Sequence, residues 1–343
     1  MTTLDLGTSR EADAVRSGPP LLVVDGLSKQ FVGRRTSGLF RKAPVARAVE
    51  GVSFEIARGE SLGLVGESGC GKTTVARMIL DLIEPDAGTV ELDGVSYGEI
   101  SKRRFRRLVR PRVQAVFQNP AAALNPRKTV YQALRSVVLL HRVCPRKEAR
   151  QYVIGLLEQV GLSPGDAYLS RRPHQLSGGQ QQRVGIAKAL AVGPALIVAD
   201  EPVSALDVSV RGQIINLLRE AQKASGVSML LISHDLAVVR TVAHRVAVMY
   251  LGKIVEIGDV EDILHYPRHP YTKALLAANP NVDGSHALEV RLSGEPPSAR
   301  RIPTGCRFHP RCPIAQEVCA TTEPLLTLHG KRSVACHFAD AVD

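Results

Sequence analysis

Short apolar runs alternate along most of the chain with longer amphipathic stretches. Short apolar runs bounded by glycine or polar residues are typical of buried strands, and the longer stretches are typical of helices. The runs that predict strands are residues 21–25, 52–56, 61–65, 113–117, 195–199, 228–233 and 246–250. Strands that alternate with helices predict an α/β protein with a parallel sheet and helices on both faces.

The predicted helices are residues 74–80, 130–140, 146–160, one that follows Gly179, 210–224, and a final helix after Gly258-Asp259. Three of them fall between Gln118 and residue 191, which indicates a helical subdomain inserted into the strand–helix alternation. Residues 1–19 are polar and end near prolines, so we expect a loose tail. A long basic loop is expected at 33–47.

A glycine-rich loop lies between the strand at 61–65 and its helix. It reads Gly66-Glu67-Ser68-Gly69-Cys70-Gly71-Lys72-Thr73, with Thr74 next. Its glycines allow successive backbone N–H groups to face phosphates, and the helix N-terminus adds a positive dipole end. We expect Lys72 to reach the β- and γ-phosphates of ATP and the Thr73 hydroxyl to bind Mg²⁺.

Two carboxylates end the apolar run at 195–199. We expect Asp200 to hold Mg²⁺ and Glu201 to polarise the attacking water as general base. A second glycine-rich segment, Leu176-Ser177-Gly178-Gly179-Gln180, precedes them.

Together these motifs resemble the ATP-binding subunit of an ABC transporter. The resemblance implies a P-loop NTPase fold with a RecA-like parallel sheet core, an antiparallel β subdomain and the inserted helical subdomain. It implies that Ser177, Gly178, Gly179 and Gln180 contact the ATP held by a second ATPase subunit. It also implies that Ser204-Ala205-Leu206-Asp207 crosses the dimer interface.

The resemblance assigns three further residues. Gln118 is expected to couple the metal site to the helical subdomain and to contribute to the Mg²⁺ site, and His234 to contact the γ-phosphate. The expected catalytic set is thus Glu201, His234, Gln118 and Lys72. Phe31 is expected to stack on adenine, although an aromatic residue in a short strand is also a common core element.

A finer resemblance is to the oligopeptide/dipeptide importers, and to the second of two paired ATPase subunits. The resemblance to the importers depends on residues 118–120, 124–127, 172–175, 207–210, 269–276 and 292–297, and on a cysteine-bearing tail. The resemblance to the second subunit depends on the long basic loop and on the phosphate loop at 66–72. ATPases of nickel importers share most of these motifs, so nickel stays open as the cargo. Non-transport ABC ATPases are the rival class, but a long coiled coil and a second ATPase unit are both missing from this sequence.

The implied partners are a second ATPase subunit, two transmembrane permease subunits and an extracytoplasmic peptide-binding protein, at the cytoplasmic face of the membrane. The chain has 343 residues and a net charge of +11, but no apolar run of the roughly 18 residues that a membrane helix needs. Much charge lies in residues 101–112. Nucleic acid or an anionic membrane surface could attract them, but we expect a solvated helix face and no nucleic-acid partner.

Four cysteines cluster near the C-terminus: Cys306, Cys312, Cys319 and Cys336. Clustered cysteines in a cytoplasmic chain suggest a metal, because disulfides are rare there. The segment is rich in proline and too short for a core of its own. The family resemblance implies a [4Fe–4S] cluster, with Zn²⁺ and metal-free thiols as alternatives. The expected domains are a tail (1–19), an ATPase domain (20–280) whose helical subdomain spans about 119–190, and a small cysteine-rich C-terminal domain (281–343).

Overall fold

The structure is a computed structural model that describes residues 18–33, 45–278 and 297–341. Four predicted features fall wholly or partly outside these residues, and one of them, the predicted domain boundary at 280/281, lies wholly outside. The N-terminal tail is described only at 18–19, the basic loop only at 33 and 45–47, and the motif at 292–297 only at its last residue.

Strands and helices alternate through the described residues. The strands are β1 (Leu22–Val32), β2 (Val45–Ile56), β3 (Ser61–Val65), β4 (Ala87–Leu92), β5 (Val95–Ser96), β6 (Val113–Val116), β7 (Leu196–Asp200), β8 (Ser228–Ile232), β9 (Arg245–Tyr250), β10 (Lys253–Asp259), β11 (Thr327–His329) and β12 (Arg332–Val334). The α-helices are α1 (Lys72–Ile79), α2 (Lys102–Leu108), α3 (Pro120–Ala123), α4 (Val130–Leu140), α5 (Ala149–Gln159), α6 (Gly178–Leu190), α7 (Val208–Ser225), α8 (Leu236–Val242), α9 (Val260–His265), α10 (Pro270–Ala277) and α11 (Glu317–Thr321).

The predicted helix at 130–140 has the bounds of α4. Its start is fixed locally, because Thr129 and Gln132 form a capping box in which each side chain accepts from the other's backbone N–H. The prediction of a single final helix after Asp259 is wrong. α9 ends at His265, and Pro270 then starts α10 with the His269 side chain accepting the Tyr271 N–H.

Contacts divide the chain into two compact units. The first, here called the helical unit, comprises described residues 18–21, 56–60 and 92–231. In it β7 pairs in parallel with β6, Val113 lying opposite Leu196, and β8 flanks β7 on the other side. Helices α4, α5 and α6 pack against one another. They bury aliphatic side chains, including Leu134, Val153, Leu157 and Val184.

The basic segment 101–112 belongs to the helical unit and forms α2 and the turn after it. Its Lys and Arg side chains on α2 are exposed, and Phe105 is buried edge-on against Tyr97, with ring centroids 4.9 Å apart. The Lys and Arg side chains of α2 thus form the exposed helix face that the sequence predicts.

The second unit, here called the phosphate-loop unit, comprises described residues 22–33, 45–55, 61–91, 232–278 and 297–341. One sheet has the strand order β11-β12-β10-β9-β3, with β3 and β9 parallel and the other neighbours antiparallel. A second sheet contains β2, β1 and β4 in that order. The last strands of the chain therefore extend the sheet that carries the phosphate loop.

None of the helices in the part of the chain that the structure describes is long and apolar enough to cross a membrane.

Candidate nucleotide site

The glycine-rich loop leaves β3, whose five residues are all buried, and ends where α1 begins at Lys72. Gly66 and Gly71 have φ angles of 149° and 112°. A Cβ at Gly66 would lie 2.1 Å from the Met249 carbonyl oxygen, and one at Gly71 would lie 2.3 Å from that of Ala48. Because both obstacles are backbone atoms, the loop path requires glycine at these two positions.

Lys72 lies inside the curve of this loop and is 5% exposed. Its Nζ donates to the carbonyl oxygens of Gly66 at 2.8 Å and of Glu67 at 2.9 Å. Burial raises the pKa of the neighbouring Cys70 thiol, which favours the neutral form although Lys72 opposes the shift. A lysine ammonium beside a glycine-rich turn at a helix N-terminus is an arrangement that binds phosphate.

His234 and Phe31 also belong to the phosphate-loop unit. His234 is exposed and precedes Asp235, the N-cap residue of α8, whose Oδ1 accepts from Ala237 N at 2.9 Å. Phe31 is 43% exposed near the end of β1. Its ring is therefore no part of the core, which favours the adenine-stacking expectation over the structural alternative.

The helical unit brings Gln118 and Glu201 together. Gln118 follows β6 and Glu201 follows β7, and the carboxyl ends of parallel strands lie at one edge of a sheet. Gln118 Nε2 donates to Glu201 Oε2 at 3.2 Å. Glu201 has φ 48°, a left-handed conformation that costs on the order of 1–3 kcal/mol in a residue with a side chain. Such strain is concentrated at functional sites.

The segment 176–180 starts α6. Ser177 is the N-cap residue, and its Oγ accepts from Gln180 N at 3.3 Å while Gln180 Oε1 accepts from Ser177 N at 3.1 Å. Ser177 and Gly178 are exposed. Asp207, exposed at the start of α7, ends the 204–207 loop. The helical unit thus presents a capped helix N-terminus whose first residues are accessible to a ligand.

Comparison with known proteins agrees with these motifs. Residues 49–204 match the family model for ABC transporters, and residues 255–319 match that for the oligopeptide/dipeptide transporter C-terminal region. A probable peptide ABC transporter ATP-binding protein of Sinorhizobium fredii is 48% identical over 92% of this chain and 89% of its own length. The chain belongs to the ATP-binding proteins of the ABC transporter family.

Other members of this family are similar over most of their length. The dipeptide transport ATP-binding protein DppF of Haemophilus influenzae is 43% identical over 95% of this chain and 99% of its own. The oligopeptide transport ATP-binding protein AppF of Bacillus subtilis is 45% identical over 88% and 92%. A dimeric ATP-binding cassette bound to ADP and Pi superposes with a TM-score of 0.60, at 27% identity over 70% of this chain and 98% of its own. The predicted P-loop ABC ATPase fold is confirmed.

Sequence reasoning missed Gln182, which lies within α6 and is 1% exposed. Its Nε2 donates to the Pro202 carbonyl oxygen at 2.8 Å and to that of Phe117 at 3.4 Å. Phe117 precedes Gln118 and Pro202 follows Glu201, so one amide holds both segments against the helix that Ser177 caps. A buried glutamine on the apolar face of a predicted helix was the signal that could have found it.

Sequence reasoning also missed Tyr271 and Arg311, which contact the phosphate loop of this chain. The Tyr271 hydroxyl accepts from Glu67 N at 2.8 Å, and Arg311 forms an ion pair with the Glu67 side chain. More than two hundred residues separate each of them from the loop. No local pattern in the sequence indicates these contacts.

The predicted [4Fe–4S] cluster is wrong, and so is the zinc alternative. Cys306, Cys312, Cys319 and Cys336 border one small pocket. However, no group of three or more His, Cys, Asp or Glu residues within the described ranges is placed to hold a metal ion. Burial raises the pKa of the Cys306 and Cys336 thiols, and that of Cys312 to about 11.

The physical reason for the error is that the C-terminal segment does not need a core of its own. Phe308 is 1% exposed and packs against Tyr250 and Tyr271, with centroid distances of 5.3 and 5.5 Å. Arg307 forms an ion pair with Glu50 at 2.9 Å, and β12 pairs with β10. Contacts with the rest of the phosphate-loop unit therefore hold the C-terminal segment in place.

Proposed function

We propose that this chain is the ATP-hydrolysing subunit that powers peptide import through an ABC transporter. The observation that carries the proposal is that one chain matches both the ABC transporter family and the oligopeptide/dipeptide C-terminal region. The relatives named above, which are described as peptide, dipeptide or oligopeptide transport proteins, support it over most of the chain. They favour peptide import over the nickel-import and non-transport alternatives.

ATP binding is assigned to the phosphate loop and Phe31. The N–H groups of residues 66–74 and the Lys72 ammonium would hold the β- and γ-phosphates, and the exposed Phe31 ring would stack on adenine. Thr73, Gln118 and Asp200 offer hydroxyl, amide and carboxylate oxygens, the donors that Mg²⁺ prefers. Magnesium bound with ATP would neutralise charge on the phosphates.

Hydrolysis is assigned to Glu201, Gln118 and His234. Glu201 would orient the attacking water and accept its proton, and its restrained backbone and the bond from Gln118 support this role. The exposed His234 would donate a hydrogen bond to the γ-phosphate as charge moves onto the leaving oxygen. In such a site most of the catalysis comes from positioning and electrostatics.

A second ATPase subunit would complete each site. The exposed Ser177 and Gly178, with the half-buried Gly179 and Gln180, would contact the ATP held by that subunit, with Asp207 at the shared interface. The similarity to a dimeric ATP-binding cassette supports this arrangement. The proposed assembly is a heterodimer of ATPase subunits with two permease subunits and an extracytoplasmic peptide-binding protein, at the cytoplasmic face of the membrane.

The proposed domains are an ATPase domain at 20–280, with its helical subdomain at about 119–190, and a cysteine-rich C-terminal domain at 281–343. The separate family matches at 49–204 and 255–319 support two regions, although the second match begins before residue 281.

The test is ATP hydrolysis by the purified complex of both ATPase subunits and both permeases. We expect the peptide-loaded binding protein to stimulate phosphate release several-fold, and the same protein offered Ni²⁺ without peptide to give none of this stimulation. Stimulation by Ni²⁺ alone would assign the chain to nickel import. A rate of hydrolysis that is the same with and without the permeases, the peptide and Ni²⁺ would contradict a role in transport.

A further inference from the structure

A bidentate ion pair joins the C-terminal segment to the phosphate loop. Arg311 Nη1 donates to Glu67 Oε2 and Nη2 to Glu67 Oε1, each at 3.0 Å. The Arg311 side chain is 5% exposed and that of Glu67 is 20% exposed. A paired, charge-assisted contact of this kind fixes orientation as well as distance, and partial burial limits its screening by solvent.

The guanidinium group is itself held in place. Its central carbon lies 5.9 Å from the centroid of the Tyr250 ring and 6.0 Å from that of Phe308, within the range of cation–π attraction. Nη1 also donates to the Tyr250 hydroxyl at 3.3 Å. Because Tyr250 and Phe308 are almost completely buried, Arg311 approaches the loop from a rigid support.

Glu67 is contacted through its backbone as well. Its N–H donates to the Tyr271 hydroxyl at 2.8 Å, and its carbonyl oxygen accepts from Lys72 Nζ at 2.9 Å. Tyr271 is fully buried near the start of α10. The buried Glu256 carboxylate fixes that start by accepting from the backbone N–H groups of Arg268 and His269, at 2.9 and 3.0 Å.

We propose that Arg311 is a positioning residue for ATP binding. By holding Glu67, it keeps the loop N–H groups and the Lys72 ammonium in the arrangement that binds phosphate. The inference rests on the proposed role of the loop as the ATP site, and it gives the C-terminal region a part in nucleotide affinity. Arg311 would affect the nucleotide only through Glu67, by fixing the geometry of the loop.

The first test compares Arg311→Met with Arg307→Met in the full-length chain. Arg307 is the matched control, because it is equally buried and four residues away but pairs with Glu50 and Glu323 instead of the loop. We expect Arg311→Met to weaken binding of a fluorescent ATP analogue about tenfold, or about 1.4 kcal/mol. In the intact complex KM for ATP should rise similarly, with kcat within about twofold. Arg307→Met should lower the unfolding midpoint without changing the affinity.

A double-mutant cycle separates positioning from a general structural effect. If Arg311 acts through Glu67, then adding Arg311→Met to Glu67→Gln should change the affinity by less than twofold. Arg311→Lys, which keeps the charge but not the bidentate geometry, should give an intermediate affinity and covers the case in which Arg311→Met does not fold.

Unchanged affinity in Arg311→Met and Arg311→Lys would overturn the inference. So would equal losses in Arg311→Met and Arg307→Met, or additive losses in the cycle. These results are distinct from failure of the proposed function, in which the parent chain would bind no ATP and Lys72→Ala would change nothing.

Discussion

At the scale of single residues, Glu201 combines two features that serve the same role. Its backbone is in the left-handed region at φ 48°, and its carboxylate accepts from Gln118 Nε2 at 3.2 Å. The backbone and the carboxylate of Glu201 are thus both restrained. A restrained carboxylate can orient a water molecule without having to be ordered during the reaction.

Glu201→Gln tests this role, because the amide keeps the shape of the side chain but cannot accept the proton. We expect kcat for ATP hydrolysis by the assembled complex to fall about 10²- to 10⁴-fold, as for loss of a general base, with ATP affinity retained. Lys72→Ala is the contrasting variant and should weaken nucleotide binding itself. Phosphate release by Glu201→Gln at a near-normal rate would remove Glu201 from the catalytic role.

His269 gives a prediction about pH and stability. Complete burial lowers its pKa from 6.5 to about 3. The unfolded chain therefore takes up a proton below pH 6.5, whereas the folded chain does not until near pH 3. The contribution of His269 to the free energy of unfolding is therefore fully present above pH 6.5. As pH falls below 6.5 the free energy of unfolding decreases, by about 2 kcal/mol at pH 5.

His269→Asn removes this titration but keeps an acceptor for the Tyr271 N–H. The free energy of unfolding, measured in urea, should decrease from pH 7 to pH 5 in the parent chain. In the variant this decrease should be smaller by about 2 kcal/mol. Equal drops in parent and variant would show that His269 does not contribute.

At the scale of elements, α6 links the glycine-rich segment to its surroundings. Gln182 bonds to the segments that carry Gln118 and Glu201. Gly179 lies so near α7 that a Cβ there would come within 2.6 Å of Val210 Cγ1. Glycine at 179 therefore serves close helix packing as well as access to the first turn.

Gly179→Ala should lower the free energy of unfolding by about 1–3 kcal/mol, because Val210 is branched at Cβ and cannot easily move aside. Gly185→Ala on the same helix is the matched control, since no atom lies within 4 Å of its added Cβ. It should be neutral or stabilising by up to about 1 kcal/mol. Equal effects of the two variants in denaturant unfolding would contradict the packing argument.

Elements were predictable where their signals are local. The signals for α4 lie within the helix or beside it: the cap residues Thr129 and Gln132 and the apolar spacing. The glycines of the phosphate loop likewise lie next to the helix α1 that the loop precedes. Elements that depend on distant partners were missed. β11 and β12 are short, and β12 is fixed by pairing with β10, far earlier in the chain.

At the scale of the whole molecule, the C-terminal segment is held by residues that lie far from it in the sequence. Four cysteines in a short proline-rich segment suggested a metal, but Phe308, Arg307 and Arg311 join that segment to residues of the phosphate-loop unit. Sequence separation hides such contacts. The family and the candidate ATP residues could be predicted from the sequence because their motifs are contiguous.

The proposed second subunit can be tested through Ser177→Arg. The side chain would intrude where the partner's γ-phosphate is expected to meet the N-terminus of α6, and this chain's own phosphate loop would remain intact. We expect ATP-dependent association of the two ATPase subunits to be lost while one nucleotide per chain still binds. Ser177→Ala, which removes only the cap, should cost about 1 kcal/mol of stability and leave association possible. Normal association of Ser177→Arg would show that residues 176–180 do not act on the partner's ATP.

The most direct measurement is uptake of a labelled peptide into proteoliposomes that contain both ATPase subunits, both permeases and the loaded binding protein. ATP supplied on the side of the ATPase subunits should drive accumulation of the peptide. Glu201→Gln in this chain should reduce the rate at least tenfold, with the complex still assembled. Undiminished uptake with Glu201→Gln, or uptake that does not require ATP, would contradict the account.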